Sequence, residues 1–242
     1  MKTIVLALLT ALMLTACSNL PQIRTDYDKA AAARMAACKA IFPHGKWQLE
    51  HSLEIFPPVG SKQTVLGIVR LDSAKRTFHC VLMTIEGLVL FEADFDGKIK
   101  IARALPPLDK PGMAEGIVRD ISFLFLAPKK PCIAAGFSKD GDWVCRYRRA
   151  DREYEDIVLK AGGLWQIRVY NQSERLIRTI SPVCVQQIKA GALPRRVRLK
   201  AYGLGGYELS LTLIEAIPLK KPIPAGSNCR SLKSLNPTRG TY

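Results

Sequence analysis

Recognisable chemistry is scarce in this sequence. Only three histidines occur in 242 residues, at His44, His51 and His79, and no two share metal-ligand spacing. No Cys-x-x-Cys is present, which removes zinc-ribbon and thioredoxin-like readings. Gly-x-Ser-x-Gly, Ser-x-x-Lys and His-Glu-x-x-His are all missing. His79 and Cys80 are neighbours, but successive strand residues point to opposite faces, so they cannot act as a nucleophile and its base. Gly203-Leu204-Gly205-Gly206 has no helix behind it and reads as a turn, not a phosphate loop. The pairs Glu92/Asp94 and Glu153/Glu155 each share a strand face, and alternation places them by default on a solvated one. The expectation is therefore no catalytic residue, no metal and no cofactor. Long apolar runs are also lacking: the greasiest internal stretch, 121–127, stops after seven residues.

What the sequence does have begins at its N-terminus. Lys2 precedes an apolar run over 4–14, too short to span a membrane but right for a signal-peptide core. Leu14-Thr15-Ala16-Cys17 then resembles the lipobox of bacterial lipoproteins. That resemblance implies cleavage after Ala16, removal of residues 1–16, and a lipid anchor on Cys17. Ser18 in the next position implies sorting to the outer membrane, with the body facing the periplasm. Two or three acyl chains hold such an anchor stably, since each buried methylene contributes about 0.8 kcal/mol. An export signal disfavours nucleic acid as a partner. The mature charge of +14 suits either plain solubility or an anionic lipid surface, and the basic residues are scattered pairs, with no run of four.

Beyond Cys17 six cysteines remain, an even number that allows up to three disulfides in an oxidising compartment. Cys132 and Cys145 flank an expected turn over 136–141 and are the first candidate pair. Cys80 fits equally well as a buried thiol. Mean hydropathy of +0.05 and 48% hydrophobic residues indicate a packed body.

Residues 17–24 read as a lipidated tether. An alanine-rich helix is expected over 27–40, with Thr25-Asp26 as its cap. Period-two alternation then gives strands over 47–55, 64–71, 77–85, 88–95 and 99–101, the last two joined by Asp96-Gly97. Pro106-Pro107 breaks the sheet before a second helix, capped by Asp109 and running to Leu126 with a broad apolar face. Arg119 and Asp120 lie beside that face and can form an ion pair that orients the helix. Strands resume over 143–149, 154–160, 164–170, 175–180, 195–202 and 207–215, with 182–193 irregular. From 219 to 242 the chain reads as a basic tail.

The fold class is mainly β with α: a single curved antiparallel sheet of about eleven strands, a half-open β-barrel with helices over its concave face. This order of elements resembles the Lol lipoprotein carrier and its outer-membrane receptor, the LolA/LolB family. The motifs that carry the likeness are the lipobox, Gly87-Leu88-Val89-Leu90-Phe91 through Asp96-Gly97-Lys98-Ile99, and Val118-Arg119-Asp120-Ile121. Leu193-Pro194-Arg195-Arg196-Val197-Arg198-Leu199 and Tyr207-Glu208-Leu209-Ser210-Leu211-Thr212-Leu213 complete it, with the family domain over 25–218. The resemblance implies a non-enzymatic lipoprotein that binds or transfers acyl chains or lipoprotein cargo, with a periplasmic carrier protein as partner. Candidate cavity-lining residues are Phe91, Ile99, Ile101, Trp165, Ile167, Leu199, Leu209 and Leu211 from strands, with Ile121 and Phe125 from the helix. Each fits equally as plain core. The turns at Asp72-Ser73 and Glu86-Gly87 are short for the protruding leucine loop of a Lol receptor. The competing class is an interaction lipoprotein that docks to envelope machinery through a sheet edge or its basic tail, without lipid.

Overall fold

A computed structural model of the chain describes residues 20–25, 29–149, 152–184, 193–203 and 205–219. The proposed cleavage and anchor residues, Ala16 and Cys17, lie outside the described residues, as do Cys229 and the tail over 220–242. The body is one antiparallel sheet of thirteen strands in the order β1-β7-β8-β9-β10-β11-β12-β13-β2-β3-β4-β5-β6. In chain order these are β1 (Arg24–Thr25), β2 (Lys46–Phe56), β3 (Gln63–Asp72), β4 (Thr77–Met83), β5 (Val89–Phe95) and β6 (Ile99–Ala104). After the long helix follow β7 (Cys132–Phe137), β8 (Trp143–Arg148), β9 (Tyr154–Leu159), β10 (Trp165–Tyr170), β11 (Leu176–Cys184), β12 (Arg196–Ala201) and β13 (Glu208–Pro218). β1 and β6 form the edges and do not pair with each other, so the sheet is open.

Eleven strands were expected and two more are present, β1 and β7. The β7 sequence is Cys132-Ile133-Ala134-Ala135-Gly136-Phe137, poor in the bulky residues that mark a strand. Its glycine is required by a neighbour. A Cβ on Gly136 would lie 2.0 Å from the carbonyl oxygen of Arg24, so β1 approaches as closely as it does only because no side chain is there. Arg24, expected in a free tether, is thus paired to the sheet. Just before it, the Pro21 carbonyl accepts a hydrogen bond from Arg146.

Two helices lie on one face. The first, α1 (Ala31–Ala40), is shorter than expected because Thr25 belongs to β1 and does not cap it. The second, α2 (Met113–Phe125), starts four residues after the expected cap Asp109, directly behind Gly112. Gly112 takes φ 80°, a left-handed conformation that glycine adopts without strain, and it turns the chain into the helix.

The covered face carries two apolar clusters. One gathers Trp143, Cys145 and Tyr147 of β8, Ile157 of β9, and Trp165, Ile167 and Val169 of β10. Ile180, Val197, Leu199 and Leu211 extend it, under Cys38, Ile41 and Phe42 from α1 and its end. The other gathers Trp47 and Leu49 of β2, Val69 and Leu71 of β3, Phe78 and Cys80 of β4, and Phe91 and Ala93 of β5, under α2.

The expected Cys132–Cys145 disulfide is not formed. Cys145 bonds to Cys38 of α1 instead, with 6.5 Å between their Cα atoms. Strand register explains the failure: Cys145 sits opposite Ala135, and Cys132 lies opposite Tyr147, two pairs further along and beyond a bulge. Cys132 keeps a half-buried thiol that donates to the Ala134 carbonyl. Cys80 is a buried thiol, and burial pushes its pKa up to about 12, so it stays protonated and unreactive.

Candidate functional site

α2 is buried on two sides, and the two sides use different chemistry. Ala114, Val118, Ile121 and Phe125 recur at helical spacing and join the β2–β5 cluster. Phe123, two residues past Ile121 and so about 200° around the helix, joins the β8–β12 cluster instead. On that side Arg119 Nη2 donates to Glu153 at 3.0 Å, and Arg178 Nε of β11 donates to Asp120 at 2.5 Å. Tyr207 also donates its hydroxyl proton to Asp120. Arg149 stacks over the Phe123 ring at 4.1 Å, with Arg178 at 5.9 Å. Arg119 and Asp120 therefore do not pair with each other; each ties the helix to the sheet separately.

The carboxylates in this clamp are buried, not solvated as alternation alone implied. Glu153 is 6% exposed and Glu155 is fully buried on the covered face, where Arg149 Nε donates to it at 2.6 Å. Burial drives the pKa of Asp120 up, against the pull of Arg178 and Tyr207. It does the same to Glu155, against Arg149 and Arg76. The other suspected pair, Glu92 and Asp94, flanks half-exposed His79 on the open face, at 3.6 Å and 3.0 Å. Among the described residues no group of three His, Cys, Asp or Glu side chains is placed to hold a metal.

Where the two clusters meet, an apolar cleft opens. Leu124 and Phe125 of α2 form one wall. Trp165, Val197, Leu211 and Leu213 rise from the sheet, and His51 of β2 lies among them. Ile41 beyond α1 and Leu193-Pro194 before β12 close the ends. The unfilled space is about 390 Å³, part of it open to solvent. It is wide enough for water but not for an alkyl chain unless its walls separate.

Of the candidate lining residues, the cleft brings together Phe125, Trp165 and Leu211. Phe91, Ile167 and Leu199 are fully buried core, and Ile121 packs in the β2–β5 cluster. Ile99 and Leu209 are partly buried against one cluster each. Ile101 is 51% exposed: it stands on edge strand β6, past a bulge, where no further strand lies beside it. His51 was missed. Its signal was present, a histidine on the otherwise apolar face of Trp47, Leu49, Leu53 and Ile55.

His51 is 8% exposed, its ring centroid 5.6 Å from that of Phe125. Burial lowers its pKa to about 4, so the imidazole is neutral at pH 7. Among the described residues no other polar side chain lines the cleft.

No protein-family model matches the chain, and no curated protein does. Among solved structures it is similar to a LolA superfamily protein from Nitrosomonas europaea, with a TM-score of 0.49 at 13% identity. That match covers 79% of this chain and 94% of the other. A domain from Vibrio parahaemolyticus named for outer-membrane lipoprotein sorting gives 0.43 at 9%, over 77% and 90% of the two chains. A DUF1329 family protein from Desulfovibrio piger gives 0.42 at 8%, over 79% and 93%.

Proposed function

We propose that the chain is a lipoprotein, anchored through Cys17 at the outer membrane and facing the periplasm, whose cleft shelters acyl chains or the acylated end of a lipoprotein. The observation that carries the reading is the cleft itself, nine apolar residues and one neutral imidazole at the seam between two cores. Concave apolar sites of this composition take apolar ligands, with a single polar group to orient them. The seam is also the place to widen, because α2 touches the β2–β5 half through apolar contacts that can slide. A soluble carrier protein of the periplasm is the partner this reading implies.

Organic extraction of the purified full chain, followed by mass spectrometry, tests the proposal. Stoichiometric acyl lipid beyond that bonded to Cys17 is the expected result, and an extract without it would overturn the reading. A second reading, docking to another envelope protein through a sheet edge, draws on exposed Ile101 in edge strand β6. An Ile101→Lys variant that loses a stoichiometric protein partner, with no lipid in either extract, would favour it.

A further inference from the structure

His51 stands at the one place in the cleft where a ligand can be read as well as held. It is nine-tenths buried, lines the open space, and has no side-chain hydrogen bond to any described residue. An imidazole left without a partner costs about 1–3 kcal/mol once water is excluded. A purely alkyl occupant would impose that cost by sealing the cleft. An occupant with an acceptor at the right depth would remove it.

Building on the acyl-chain reading, we propose that the His51 imidazole donates a hydrogen bond to the ester or amide carbonyl of an acyl chain lying along Leu124, Trp165 and Leu211. A free carboxylate fits poorly. Among the described residues no charged side chain lines the cleft, so a fatty-acid anion would be desolvated there without a countercharge. A neutral carbonyl asks for one donor, and the neutral ring at pH 7 supplies one N–H. The cleft would thus select acyl chains still joined to glycerol or to an amine, rather than free fatty acids or hydrocarbons.

The test uses the full chain carrying Cys17→Ala, so that no acyl chain of its own competes. Methyl decanoate, undecane and decanoate are titrated from cyclodextrin while tryptophan fluorescence reports occupancy of the site beside Trp165. One hydrogen bond of ordinary net strength gives the ester about a five- to tenfold advantage over the alkane. In a His51→Phe variant that advantage disappears while undecane binding stays within about twofold. In parallel, the ¹⁵N resonance of the His51 ring in the unsubstituted cleft moves with the ester and not with the alkane. That spectral result decides the matter even where the variant fails to fold. Equal binding of ester and alkane, decanoate binding as tightly as the ester, an ester preference that survives His51→Phe, or an unmoved ring resonance would each overturn the inference and leave the acyl-chain reading standing. Binding of none of the three probes would overturn both.

Discussion

The two halves of this sheet hold the same helix by different forces. Strands β8–β12 are fastened covalently to α1 through Cys38–Cys145 and electrostatically to α2 through Asp120, Arg178, Glu153 and Arg119. Strands β2–β5 meet α2 through apolar side chains, and the cysteine in their cluster, Cys80, is a free thiol. Directional contacts fix one geometry, whereas apolar contacts tolerate sliding at small cost. The difference teaches where the molecule is built to stay and where it can give. The cleft lies on the boundary, with a wall from each half.

The largest expected effect comes from the covalent tie. Replacing Cys145 with Ala releases a link spanning 107 residues, worth about 4–5 kcal/mol on chain-entropy grounds. The urea midpoint should fall accordingly, and amide exchange should rise first in β7–β11. Faster exchange in β2–β6 alone would break the comparison.

The two sides of α2 should then prove similar in cost but unlike in cause. Arg178→Ala leaves Asp120 buried without the guanidinium that pairs with it, Tyr207 still donating, at about 3–5 kcal/mol. Phe125→Ala leaves a cavity at the cleft wall, at about 3–5 kcal/mol. Because both act on one helix, the double variant should depart from additivity by at least about 0.5 kcal/mol. Strict additivity would mean that α2 does not couple the halves.

His51 gives the next effect, through pH. Its folded pKa of about 4 lies below the 6.5 of an unfolded histidine, so the folded chain binds fewer protons between those values. The folded state is therefore favoured above pH 6.5 and loses that advantage as pH falls toward 4, by about 3 kcal/mol. The raised pKa values of Asp120, Glu155 and Asp156 act in the opposite sense. Comparing the native chain with His51→Phe at pH 7 and pH 4 cancels them, and the variant should lose less stability on acidification. Equal losses would contradict a neutral buried ring. At the small end, Lys100→Ala removes an exposed pair with Asp96 and should leave the urea midpoint unchanged.

Alternation made most of the sheet legible. The run from Trp47 to Ile55, the Asp96-Gly97 hairpin and the later strands all announce themselves by period two and turn chemistry. β7 does not, because its residues are small: it is held by pairing with β8 along its length, and β1 adds only Arg24 and Thr25 at its far end. The ion pairs failed because their partners are distant in the sequence. Glu155 looks solvated within its own strand, and Arg149 and Arg76 make its burial tolerable. The site was legible in part: Phe125, Trp165 and Leu211 share strand or helix faces that patterning predicts to be covered. Patterning cannot separate a cleft wall from close-packed core, since both are apolar, and Phe91 and Leu199 fell on the core side.

Filling the cleft tests the central claim most directly. Native mass spectrometry of the full Cys17→Ala chain, after incubation with acyl-ester vesicles, should show one bound acyl lipid. The same chain with Leu124→Trp, which fills the space between the two halves, should show none while keeping its unfolding free energy within about 1–3 kcal/mol of the parent chain. Equal lipid on both chains, or none on either, would contradict the account.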